Sequence, residues 1–154
     1  MNVNKSEEIL EFHGIRPTPV RILVLTFIGR TPFPVSALDI ETGLDTVDRS
    51  SISRTLALFM EKGLLHSIDD GSGSVKYEMC RSCAVTEAHD HMYESNFSAH
   101  TDLHVHFHCC VCGKTECLPE AGIPAVRLPK DYVVTGANFV ISGVCSCCVR
   151  KRQI

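Results

Sequence analysis

SSISRTLALFMEKGLLHSIDDGSGSVKYEM, residues 50–79, decides how the first half of the chain folds. Ile52, Leu56, Phe59 and Met60 recur at steps of three and four, the period of a helix with one apolar face. Gly63 supplies a stop for that helix, and Asp48 or Ser50 supplies its cap. LLHSI and VKYEM then flank the turn DDGSGS and are expected to pair as a hairpin. Upstream, Ser36 caps ALDIETGL, which ends at Gly43. Thr18-Pro19 places a cap and a proline at the first helical position. VRILVLTFIG, which follows, is apolar on most faces and is expected to be buried. Ser6 to His13 reads as a short helix ending at Gly14. Helices closed by a hairpin form the pattern of a winged helix, whose last helix enters the major groove of DNA while the hairpin touches the backbone. A plain three-helix core has the same periodicity. Charge does not separate the two, because residues 1–65 carry seven basic and eight acidic side chains. Arg16, Arg21, Arg49 and Arg54 could nevertheless gather on one face.

Composition changes near residue 80. All nine cysteines and six of the eight histidines lie at or beyond it. Residues 80–103 are polar and irregular and read as a linker or loop. After them LHVHFHCC, DYVVTG and NFVISGVC alternate as strands do, with EAGIPAVRLPK between as loop or short helix. The expected class is therefore α+β. Residues 1–79 form a winged helix-turn-helix, 80–103 a linker, and 104–154 a small α/β domain built around metal.

Nine cysteines in 154 residues call for either disulfides or metal. MNVNKSEEILEFHG, at the start, has no apolar signal-peptide core, and the apolar stretch near Ile22 to Ile28 is too short to cross a bilayer. The expected setting is thus cytoplasmic and reducing, where thiols serve as ligands. Cys109 and Cys112 form one C-x-x-C pair and Cys145 and Cys148 another. Two such hairpins make a closed, structural zinc cage with Zn–S distances of about 2.3 Å. Cys110 and Cys147 are spare. The two-residue spacing is preferred because it lets backbone N–H groups donate to sulfur, and Gly113 suits the turn.

His104 and His106 alternate along a strand and so share one face. They form half of a second, responsive site. His89, His91 and His100, with Cys83, could make a further set in the linker. No H-E-x-x-H or H-x-E accompanies the cysteines, which argues against a zinc hydrolase or deaminase. A zinc-stabilised interaction module without DNA binding is the other class open to these residues.

RPTPVR at 16–21, SRTL at 53–56, YE at 77–78, H-x-H-x-x-C-x-x-C-G-K at 104–114 and the final C-x-x-C together resemble the ferric uptake regulator (Fur) superfamily, over roughly residues 8 to 148. The resemblance implies a homodimeric, metal-dependent repressor that binds a palindromic operator in double-stranded DNA and controls metal uptake genes. It implies the same four cysteines for structural zinc. Y-E-M-C at 77–80 is similar to the Y-x-x-C of the zinc-sensing branch, which nominates Cys80 as a regulatory ligand. His66, on the opposite hairpin strand, completes a set with His104 and His106. Sulfur with imidazole favours zinc over iron or manganese. Glu78 is the fallback, since many members use a glutamate there, and an oxygen ligand tilts the site towards iron or manganese. An iron- or peroxide-sensing regulator is the alternative. Arg16 and Arg21 are implied to meet phosphates or the minor groove, while Ser50, Ser51, Ser53 and Arg54 are expected to face DNA. Three departures matter. Ser53 stands where members commonly carry tyrosine. Cys117 stands where many have a glutamate ligand of another metal site. Ala137 lies near the position of that site's histidine.

Overall fold

A computed structural model describes residues 1–80, 104–123, 125–133 and 137–152. The chain divides into two compact units, Met1–Thr86 and Glu87–Ile154. No described helix is long and apolar enough to cross a membrane.

The first unit is helical with a small sheet. Helix α1 (Val3–Phe12) begins earlier than its apolar pattern indicates, because the Asn2 side chain accepts from the Lys5 N–H at 2.9 Å. Helix α2 (Pro19–Arg30) starts from the Thr18 cap with proline in its first turn. A buried hydroxyl pair, Ser6 with Thr26 at 2.7 Å, ties α1 to α2. A two-residue strand, β1 (Val35–Ser36), leads directly into α3 (Ala37–Gly43), where Ser36 and Asp39 cap one another reciprocally. Gly43 is required by packing: a Cβ there would collide with the Phe27 ring.

Asp48 caps α4 (Arg49–Glu61), and Gly63 turns the chain out of it at φ 66°. The hairpin follows as β2 (Leu65–Ile68) and β3 (Lys76–Met79), antiparallel, with His66 opposite Glu78 and Ile68 opposite Lys76. β1 adds to the far edge of β3, giving the order β1-β3-β2. The hairpin tip is stitched from within. Asp70 has a fully buried side chain, accepts from the Ser72 N–H at 3.0 Å and meets Lys76 at 2.6 Å. The apolar core of this unit joins Leu10, Val24, Leu25, Ile40, Ile52, Leu56, Phe59 and Leu64, all 2% exposed or less. Helices closed by this wing are the expected winged-helix arrangement.

The second unit holds a three-stranded sheet of order β5-β4-β6. β4 (Val105–Cys109) lies between β5 (Thr115–Leu118), antiparallel to it, and β6 (Phe139–Gly143), parallel to it. A final helix, α5 (Ser146–Arg152), follows. The strands read from LHVHFHCC and NFVISGVC are present. DYVVTG departs from expectation at its start: Asp131 adopts φ 80°, Val133 is exposed, and Asp131–Val133 belong to no strand. The positive φ turns the backbone out of the extended region that pairing needs. β5 and α5 were not legible from the pattern. The linker beyond Cys80, with Cys83, His89, His91 and His100, lies outside the described residues.

Candidate metal centre

The four cysteines of the two C-x-x-C pairs converge. Their Sγ atoms all lie within 4.8 Å of one another, and Cys112 Sγ is 3.8 Å from Cys145 Sγ. Thiolates placed about 2.3 Å from a tetrahedral centre stand about 3.8 Å apart, so the spacing fits zinc. Local folding builds this convergence. The Cys109–Cys112 turn closes with the Gly113 N–H donating to Cys109 O at 2.8 Å, and Gly113 takes φ 70°. Cys145 precedes α5 and Cys148 falls in its first turn. The Cys145 N–H reaches across to donate to Cys109 Sγ at 3.3 Å.

That donation, with N–H groups of Cys112 and Val111, stabilises sulfur as thiolate and lowers the Cys109 pKa to about 6. Cys148 is pushed up to about 12 by its hydrogen bond with Cys145, by burial, and by the negative Cys109 beside it. A cation bound among the four sulfurs would favour their thiolate forms. No disulfide joins any described cysteine. Cys110 and Cys147 are exposed and stand apart from this set.

The second set of donors divides between the units. In the second unit His104 and His106 are buried on β4, with ring centroids 4.5 Å apart. Cys117 on β5 lies directly opposite His106, and ligand atoms of all three fall within 4.8 Å of one another. Directly opposed residues share a face of the sheet, so the thiol joins the imidazoles. Cys117 as their companion is a residue the sequence reading missed. The signal was the pairing of TECL with VHFH, a long-range register that no local pattern reveals.

In the first unit His66 uses both edges of its ring. Its Nε2 stands 4.0 Å from Glu78 Oε2, and its Nδ1 stands 3.7 Å from Cys80 Sγ. One imidazole nitrogen can ligate while the other is held by a neighbour, the arrangement common to metal-bound histidines. Glu78 is paired with His66 by strand register; Cys80 lies just past the end of β3.

The residues expected to face DNA sit together on the first unit. Arg21, Thr18, Ser51, Arg54 and Thr55 line a groove of about 290 Å³ between the start of α2 and the start of α4. Arg21 Nη1 donates to Arg16 O at 2.7 Å, and Ser53 and Arg54 are exposed on α4.

The arrangement, a winged helix followed by a small sheet domain, is shared with solved structures. A zinc uptake regulator complexed with zinc and DNA matches with a TM-score of 0.63 and 16% identity, covering 99% of this chain and 95% of that one. The ferric uptake regulator of Helicobacter pylori, described with three functional metal sites, matches at 0.57 and 14%, covering 97% and 95%. A zinc-bound manganese uptake regulator matches at 0.56 and 17%, covering 90% and 97%. The chain has the fold of the Fur family. No sequence-family description and no curated protein matches it.

Proposed function

We propose that this protein is a metal-dependent, DNA-binding repressor of the Fur family, not an enzyme, acting as a cytoplasmic homodimer on a palindromic operator of metal uptake genes. The observation that carries the reading is the presence of two chemically different donor sets in a winged-helix chain. The thiolate cage is complete within one unit. The imidazole sets are each incomplete: His104, His106 and Cys117 in one unit, His66 and Glu78 in the other. A closed zinc site has four protein ligands, and such a site would need donors from both sets.

The proposed regulatory site draws on both: His104 and His106, with Cys117 as an added soft donor, and His66 with Glu78 or Cys80. Ligands contributed from two units bias the chain towards the arrangement in which both are engaged, which is how binding shifts an equilibrium. Two imidazoles and a thiol favour zinc as the sensed ion. The specific support for the iron or manganese alternative is the Glu78 carboxylate opposite His66. If His66 ligates through Nε2, Cys80 is its supporting partner on Nδ1 and not itself a ligand. The solved relatives include a regulator bound to zinc and DNA, which supports both partners.

The test is operator affinity measured at buffered free zinc, iron(II) and manganese. Zinc is expected to tighten binding by roughly 5- to 150-fold, the usual range of allosteric coupling. His106→Ala is expected to abolish the rise while the protein keeps its cage zinc. Affinity that does not change with any of the three ions would end the sensing claim.

A further inference from the structure

The starts of α2 and α4 open onto one groove of about 290 Å³, and its walls are rich in donors. The α2 side contributes Thr18, Val20 and Arg21; α4 contributes Ser51, Arg54 and Thr55. No carboxylate is among the described lining residues. Each guanidinium is held by a carbonyl: Arg21 Nη1 donates to Arg16 O at 2.7 Å, and Arg54 Nε to Ser50 O at 3.2 Å. Neither has an ion-pair partner among the described residues. Arg21 Nε and Nη2 and Arg54 Nη1 make no hydrogen bond there either. Thr55 is 6% exposed, and its hydroxyl has no hydrogen-bond partner among the described residues. A polar group that buried ordinarily has one. Thr18 accepts from the Arg21 N–H at 3.5 Å and keeps its own proton to donate.

We propose that this groove is a second ligand site, that it binds a small free phosphate dianion (inorganic phosphate or a phosphomonoester), and that its occupancy competes with DNA. The site stands on the groove itself; the competition rests on the DNA-binding reading above. Charge selects the ligand class. Two cations without counter-ions match a group carrying nearly two negative charges at neutral pH, whereas a duplex phosphodiester carries one. Shape selects within the class. Guanidinium and hydroxyl donors arrive from two helices, which suits a tetrahedral group with at least three acceptor oxygens better than a planar carboxylate. Both helix starts add the positive ends of their dipoles. A volume at the lower edge of ordinary ligand pockets keeps the ligand compact. Val20 is the one apolar side chain among the described lining residues, so an uncharged apolar molecule gains little there. Ser51 gives its hydroxyl proton to Asp48 at 2.7 Å and serves as wall, not donor. These residues lie on the face expected to meet DNA, so bound anion and duplex exclude one another.

The experiment is titration of the zinc-loaded full chain, freed of excess zinc, with inorganic phosphate and with glycerol phosphate. Ionic strength is matched with potassium chloride, and binding is read by phosphorus NMR. Saturable binding with a Kd of about 0.1–1 mM is expected, inside the limit for so small a ligand. Arg21→Gln should weaken it roughly tenfold or more, the worth of a charge-assisted hydrogen bond. Thr55→Val removes a hydroxyl and keeps the shape; it should weaken binding about 3- to 10-fold, and Thr55→Ser should restore it. Lys5→Gln removes an equal charge from the exposed side of α1 and should leave phosphate affinity as it was. In a second arm, either phosphate at about ten times its Kd should lower duplex affinity about tenfold at constant ionic strength. Tighter binding of glycerol phosphate would support the site with a metabolite as its source; tighter binding of inorganic phosphate would support it with the free ion.

No saturable binding of either phosphate would overturn the proposal; if Arg21→Gln then weakened duplex binding, the groove would be a seat for the DNA backbone alone. Equal losses in Arg21→Gln and Lys5→Gln would mean diffuse attraction and overturn it too. Native phosphate affinity in Thr55→Val would place the anion elsewhere and remove the assigned groove. Phosphate binding that leaves duplex affinity untouched would overturn the competition. A native chain that binds free phosphate with the expected variant pattern, yet binds no duplex at any metal concentration, would support the anion site and sink the repressor reading instead.

Discussion

The two units are held together by different materials. In the first, thirteen buried apolar side chains from α1 to β2 form one hydrocarbon core centred on Phe59, Leu25 and Ile40. In the second, the most buried described side chains include His104, His106, Cys109, Cys148 and Thr115, with Val105 the aliphatic among them. Burying imidazoles and thiols costs free energy that satisfied polar atoms must offset, and a cation placed among them would turn the same residues into cohesion. The difference teaches where each unit's stability comes from. One folds by excluding water from carbon; the other buries imidazole and thiol side chains where the first has hydrocarbon.

Withdrawal of zinc is the harshest way to break that comparison. Structural zinc is worth about 10–16 kcal/mol to small domains. On the proposed zinc assignment, a strong chelator, or Cys112→Ser, is therefore expected to unfold the sheet unit while the winged helix keeps its helical circular dichroism. Simultaneous loss of both would show that the units share one source of stability. Phe59→Ala addresses the other side. It should cost about 3–5 kcal/mol, visible in denaturant unfolding of the first unit, with bound zinc per chain unaltered.

The smallest effect is one of acidity. Protons compete with zinc for thiolates, and Cys109, with its pKa lowered to about 6, is still deprotonated at neutral pH. Cage affinity should fall as pH falls, and the slope of log affinity against pH should steepen by about one proton below about pH 6. Zinc competition with a chromophoric chelator measures this; a slope without that break would remove the special status given to Cys109.

What the sequence disclosed follows the same division. Thr18, Ser36, Asp48 and Gly63 are local signals, because a cap or a stop acts within one turn, and they located α2, α3 and α4. The cage was legible because its spacing is itself chemistry. α1 began before its apolar pattern because Asn2 caps it, and that cap precedes the periodic residues. β5 escaped because TECL is four residues long and its facing depends on pairing with β4; Cys117 was hidden with it. Strand alternation in DYVVTG misled at its start because Asp131 turns the chain away from pairing.

β4 carries both kinds of donor. Cys109 closes the strand that bears His106 three residues earlier, a separation of about 10 Å at strand rise. On the proposed assignment the permanent ion sets the zero from which the transient one is measured. A titration that fills both would look cooperative although only one ion carries information. Preparations emptied of all metal would then understate the sensor's true threshold sensitivity.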